Sequence, residues 1–204
     1  MMKHKIINCF LITLLVLVAY DLYDNAFYNN GDVVRTEYKN NLINISTEGN
    51  IKNKDIKKLL KIIETIPSHI LESFNENGFK VVLTDVNIAE IYYQDTSLGD
   101  IAGLFVENES TIYISSKRNY INHATIHEFG HFFDSINNWS SSSEEFTNIY
   151  IEEKDNLKII SHDNHYKSSS AEFFATSFQQ YFKNPKKLKN EAPKTYNYLK
   201  ELLN

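Results

Sequence analysis

Apolar positions in the second quarter of the chain recur at three- and four-residue steps. Ile56, Leu59, Leu60, Ile63, Ile66, Ile70, Leu71 and Phe74 trace one face of a 3.6-residue period, which predicts helix over residues 53–77. Pro67 lies inside this stretch and should divide it in two, because proline lacks the N–H that an interior helical turn donates. Gly78 ends it. The period then changes. FKVVLT at 79–84 is a short apolar run of strand length, and IAGLFV (101–106) and TIYIS (111–115) are β-like, with ENES between them predicting a hairpin. VNIAEIYY (86–93) fits a short helix or turn. The helical period returns at Ile121–Ile136, Ser143–Leu157 and Ser170–Phe182, with one or two further helices in Pro185–Leu203. SSSS at 140–143 and SSS at 168–170 precede two of these stretches and read as loops ending in helix caps. Helices, a small sheet and then several helices make an α+β domain with a mainly helical C-terminal half.

The N-terminal residues 1–25 have a different pattern. MMKHK is basic, IINCFLITLLVLVAY is uncharged and largely apolar, and DLYDN is acidic. This order is that of a signal peptide or an N-terminal membrane anchor. The apolar run is short of the roughly 20 residues that span a bilayer as a helix. Leu17 also stands two positions before Ala19, where a small residue would favour cleavage, so removal and retention both stay open. Residues 26–50, rich in Asn, Asp and Tyr, read as a linker and entry segment with a short strand at Leu42–Ser46. Residues 51–204 are the expected domain.

Composition narrows the chemistry. An apolar fraction of 42% supports a globular core. The net charge of −5, with lysines interleaved among acids, gives no basic face for nucleic acid. The single cysteine, Cys9, excludes an intramolecular disulfide and thiolate zinc sites alike.

The candidate chemistry lies in HEFGH, residues 127–131. Residues four apart share a helix face, so His127 and His131 can present both imidazoles to one ion. Glu128 is rotated about 100° from His127 and can act on a water beside the metal instead of binding it. Ile121, Ala124, Phe129, Phe132, Phe133 and Ile136 place the histidines in a mostly buried helix, where imidazoles need partners. Gly130 in a helix interior costs up to about 1 kcal/mol against Ala, which is easier to explain if another backbone packs there. The hairpin just before this helix offers a strand edge, 101–106 or 111–115, that could hold an extended peptide.

A catalytic zinc site needs a third protein ligand. His123 lies on the same stripe as the other histidines, but three helical turns separate the outer pair by about 12 Å. Asp134 suits the orientation of an imidazole. A third histidine six residues after His131 is missing, since that position is Asn137. Glu172 is a carboxylate between phenylalanines and alanine in SSSAEFFATSFQQYF (168–182), a setting that a metal would account for. A first-turn glutamate favoured by the helix dipole is the plainer alternative. Glu172 is the preferred third ligand.

HATIHEFGHFFD, followed about forty residues later by SSSAEFFATSFQQYF, resembles the lethal-factor-like zinc metallopeptidases. These include the catalytic domain of anthrax lethal factor and the secreted Pro-Pro endopeptidases. The resemblance implies a zincin-like fold and one zinc ion per chain held by His127, His131 and Glu172, with Glu128 as general base. It also implies a tyrosine that donates to the oxyanion of the tetrahedral intermediate. The family's tyrosine lies seven residues before the glutamate ligand. Here that position is His165, and Tyr166 is six before. Tyr166 is assigned the role, with His165 and His162 as imidazole alternatives. The expected protein is a secreted or extracellular endopeptidase that binds protein or peptide substrates in extended form. It is expected to be a monomer that touches membrane only through a retained N-terminal segment. A non-catalytic zincin-fold binding protein at the cell surface is the rival reading, and a zinc hydrolase of the cell wall a third.

Overall fold

A computed structural model describes residues 36–39, 43–93, 99–158 and 165–204. The N-terminal signal or anchor segment and His162 lie outside the described residues.

Five strands form one sheet: β1 (Thr36–Lys39), β2 (Asn44–Glu48), β3 (Lys80–Thr84), β4 (Gly103–Val106) and β5 (Thr111–Ser115). Their spatial order is β1-β2-β3-β5-β4. The central strands β2, β3 and β5 run parallel, and the outer strands β1 and β4 are antiparallel to their neighbours. Among the described residues β4 is therefore an edge strand and β5 is not, which decides between the two hairpin strands.

The segment read as a linker contributes two strands. β2 pairs with β3 through Ile45↔Val81 and Thr47↔Leu83, so the structured domain begins before residue 51. The short strand expected at Leu42–Ser46 overlaps β2, while local pattern gives no sign of β1 or of the parallel pairing. NISTE carries one large apolar residue, Ile45, and its parallel partner is separated from it by two helices instead of a tight turn.

Those helices are α1 (Asn53–Ile63) and α2 (Ser68–Glu76), broken at Pro67, whose ψ of 140° leaves the helical region. α3 (Ile88–Tyr93) follows β3. α4 (Tyr120–Ile136) follows β5, then come α5 (Glu144–Glu153), α6 (Ser170–Lys183), α7 (Pro185–Glu191) and α8 (Pro193–Leu202). The serine runs act as caps. Ser143 Oγ accepts the Phe146 N–H at the start of α5, and Ser169 Oγ accepts the Glu172 N–H at the start of α6. No helix among the described residues is long and apolar enough to cross a membrane.

α4 is buried on two sides. On one, Phe129 and Phe132 meet Phe74 with ring centroids 4.8 and 5.0 Å apart. On the other, Phe133 meets Phe178 of α6 at 5.2 Å. Phe146 of α5 joins this second cluster through Phe174 at 5.1 Å. The buried Glu153 at the end of α5 accepts the N–H groups of Lys194 and Thr195 and the Thr195 hydroxyl, which ties α5 to the start of α8.

Gly130 marks the closest approach of α4 to α6. A Cβ there would lie 2.8 Å from the Ala175 Cα and 3.0 Å from its carbonyl oxygen. Gly130→Ala should therefore lower stability. Overpacking costs about 1–3 kcal/mol and better helix propensity returns up to about 1 kcal/mol. Denaturant unfolding measures the net effect, and a raised midpoint would contradict this packing.

Candidate metal centre

Three side chains from two helices converge. α4 supplies His127 and His131, one turn apart, with ring centroids separated by 4.9 Å. α6 supplies Glu172 from its first turn. His127 Nε2 is 3.2 Å from Glu172 Oε2, and His131 Nε2 is 3.5 Å from Glu172 Oε1. One ligand atom from each residue lies within 4.8 Å of the other two. The set is thus the one chosen from sequence. The close α4–α6 contact at Gly130 explains why Glu172 reaches the histidines. Thr176, one turn beyond Glu172, has its Oγ1 3.3 Å from His127 Nδ1. The tautomer that donates from Nδ1 to this hydroxyl turns the Nε2 lone pair towards the carboxylate.

The donors fit a zinc ion. Ligands about 2.0–2.1 Å from a tetrahedral zinc are roughly 3.3 Å from one another, close to the His127–Glu172 spacing. Glu172 Oε2 is buried and has no hydrogen-bond partner, although two imidazole nitrogens stand 3.2 Å from it. Close approach without hydrogen-bond alignment is what a shared cation would resolve. The charges agree. Burial acts to raise the Glu172 pKa, but His127 and His131 outweigh it and hold the carboxyl well below the usual carboxylate range. Burial acts to lower the His131 pKa, and Glu172, Glu128 and Asp134 together raise it.

Glu128 stands beside this cluster without joining it. Its pKa is raised, chiefly by burial, which His127 and His131 partly offset. The backbone N–H of Phe105 on β4 also acts to lower it. Ala102 O accepts the Ser115 N–H, so by antiparallel alternation Gly103 and Phe105 turn their N–H and C=O groups to the open edge. Glu128 reaches that edge past Gly103. A Cβ at Gly103 would fall 2.8 Å from both Cγ and Oε1 of Glu128, and 2.8 Å from Ala124 Cβ. Sequence reasoning missed Gly103 and Phe105. The available signal was a glycine inside a strand pattern, which marks close approach of another group.

These positions coincide with a family match. Residues 30–202 match the family described as anthrax toxin lethal factor, N- and C-terminal domain. The chain belongs to the anthrax toxin lethal factor family. Its fold is similar to that of a Pro-Pro endopeptidase, PPEP-2, from Paenibacillus alvei, with a TM-score of 0.63 and 21% identity over 78% of this chain and 96% of that one. Among curated proteins, none matches the chain.

In this lethal factor family member the turn before α6 departs from expectation. Tyr166 is buried, and its hydroxyl donates to the Leu157 carbonyl at 2.8 Å. A buried phenol takes the nearest acceptor, so Tyr166 holds the α5–α6 connection and does not join the cluster. His165 does approach it, with Nε2 3.2 Å from Glu172 Oε2 and the side chain 63% exposed. Asp134 also differs from expectation. Its oxygens accept the Ser141 N–H and hydroxyl at 2.8 and 2.5 Å, so it anchors the turn after α4 instead of orienting an imidazole. His123 is exposed, with its Nε2 3.2 Å from Asn119 Nδ2.

Two substitutions separate these roles. Glu172→Ala should weaken zinc binding by at least about tenfold, as measured by competition with a chromogenic chelator. Tyr166→Phe should leave zinc affinity unchanged and reduce stability by about 0.5–1.5 kcal/mol, the worth of one hydrogen bond. A zinc-binding defect in Tyr166→Phe would return that tyrosine to the metal centre.

Proposed function

We propose that this chain is an exported zinc endopeptidase acting on extended segments of extracellular or surface proteins. One observation carries the reading. Two imidazoles and a carboxylate converge within 4.8 Å, while a second carboxylate, Glu128, is held beside them at a strand edge. His127, His131 and Glu172 would hold the metal. Zinc in such a set supplies Lewis-acid polarisation of a carbonyl and brings the pKa of a water to about 7.

The chain's own groups account for the rest. Glu128, buried and with a raised pKa, takes a proton from the attacking water on its carboxylate and returns it to the leaving amide nitrogen. The outward N–H and C=O of Gly103 are available to pair with an extended substrate along β4. His165 Nε2 is the donor of the α5–α6 turn that stands beside Glu172, and we assign it the stabilisation of the developing oxyanion in place of Tyr166. Export rests on the basic, apolar and acidic order of the N-terminal residues. Fractionation of producing cells tests it, and a wholly cytoplasmic chain would refute it.

The decisive assay is a peptide-library cleavage screen of the zinc-loaded full chain beside Glu128→Gln. Proline-rich sequences belong in the library because a protein of similar fold is named a Pro-Pro endopeptidase. Glu128→Gln should abolish cleavage and keep zinc at one ion per chain. Equal cleavage by both proteins would overturn the role of Glu128, and silence from zinc-loaded wild type would favour a binding protein. His165→Ala should lower kcat by about 10²–10³-fold with zinc retained, the loss expected for one oxyanion donor.

A further inference from the structure

The chain's single tryptophan is Trp139, three residues beyond the end of α4. It is 38% exposed, and its backbone is in the left-handed region with φ 54° and ψ 55°. Asn138 before it also has positive φ, at 57°. An asparagine there is an ordinary helix stop. A bulky aromatic residue in that region is an outlier, and it persists only where its surroundings fix it. They do so here. The Trp139 N–H donates to the Asp134 carbonyl at 2.9 Å, the buried Asp134 carboxylate is bonded twice by Ser141, and Ser140 Oγ donates to the Asn137 carbonyl at 2.8 Å. The fold thus holds an indole rigidly at the surface instead of burying it.

One residue links the indole to the His131 ring. Its ring meets Phe105 at 6.5 Å and 65°, and Phe105 lies nearly parallel to the His131 ring, also at 6.5 Å. Phe105 is a β4 residue whose backbone N–H and C=O turn to the strand edge, so a peptide lying along the β4 edge passes this aromatic corner. The indole is at most about 13 Å from the His131 ring, a span that an extended chain covers in about four residues. We propose that Trp139 and Phe105 form an apolar subsite that takes a bulky hydrophobic side chain of the substrate on the His131 side of the scissile bond. This rests on the peptidase reading above.

The single tryptophan gives a readout that needs no turnover. Zinc-loaded, full-length Glu128→Gln is titrated with short alanine-based peptides carrying Phe, Leu, Lys or Glu at one position at a time. Phe and Leu peptides should shift the indole emission to the blue with saturation, and Lys and Glu peptides should not. In the active protein, Trp139→Ala should lower kcat/KM for a cleaved Phe or Leu peptide by at least about tenfold, through KM with kcat kept, and Trp139→Phe should restore most of it. Peptide binding seen by calorimetry without an emission change would overturn the subsite, as would no emission change with any peptide, or an unaltered KM in Trp139→Ala. A saturable shift with Phe and Leu peptides, in a protein whose wild type cleaves none of them, would overturn the peptidase reading and leave the subsite standing.

Discussion

The close packing of α4 on α6 is the constraint on which the rest depends. Gly130 lets the backbone of one helix come against Ala175 of the other, three residues from Glu172. The metal ligands lie on either side of this contact, so their separation is set by helix packing and not by a flexible loop. Phe133, Phe174 and Phe178 fill the same interface. A core packed at crystal-like density transmits small displacements, and a shift of a few tenths of an ångström between these helices would carry Glu172 away from two imidazoles at once. Fold stability and metal geometry therefore share one set of contacts.

The opposite side of α4 places Glu128 by a different device. Glu128 extends along the space left by a missing side chain at Gly103, beside the edge strand. The two carboxylates of the site thus differ in environment. Glu172 lies against His127 and His131, which outweigh its burial. For Glu128 burial wins over the same two histidines. Their pKa values are driven apart, which suits one to holding a cation and the other to exchanging a proton.

Much of this was legible in the sequence because it is local. HEFGH fixes two ligands and a neighbouring acid by helical spacing alone, and the Pro67 break, the β4–β5 hairpin and the serine caps all follow from short-range rules. Glu172 was legible for another reason: a carboxylate among buried aromatics needs a partner. The second strand was legible in outline, expected at Leu42–Ser46 and found at Asn44–Glu48, but β1 and the parallel pairing of β2 across two helices were not. Tyr166 and His165 show the limit most clearly. They are adjacent in sequence, and a turn that points one inward points the other outward. Which of them faces Glu172 depends on where the Leu157 carbonyl lies, and no spacing rule encodes that. Asp134 fails similarly, because its partner Ser141 is fixed by the path of the following turn.

The pattern of these misses separates two kinds of position. Residues that build the metal centre sit on helices whose packing leaves little freedom, and they obey the family spacing. Those beyond it, His165 and Trp139, sit on the turns that leave or enter those helices, and Phe105 sits on an edge strand. Turns accept substitution without repacking the core. A chain can therefore keep His127, His131, Glu172 and Glu128 in place while the side chains on these turns and on the strand edge change. The turn before α6 shows this freedom: it sets the His165 imidazole against Glu172 and turns the Tyr166 hydroxyl onto the Leu157 carbonyl.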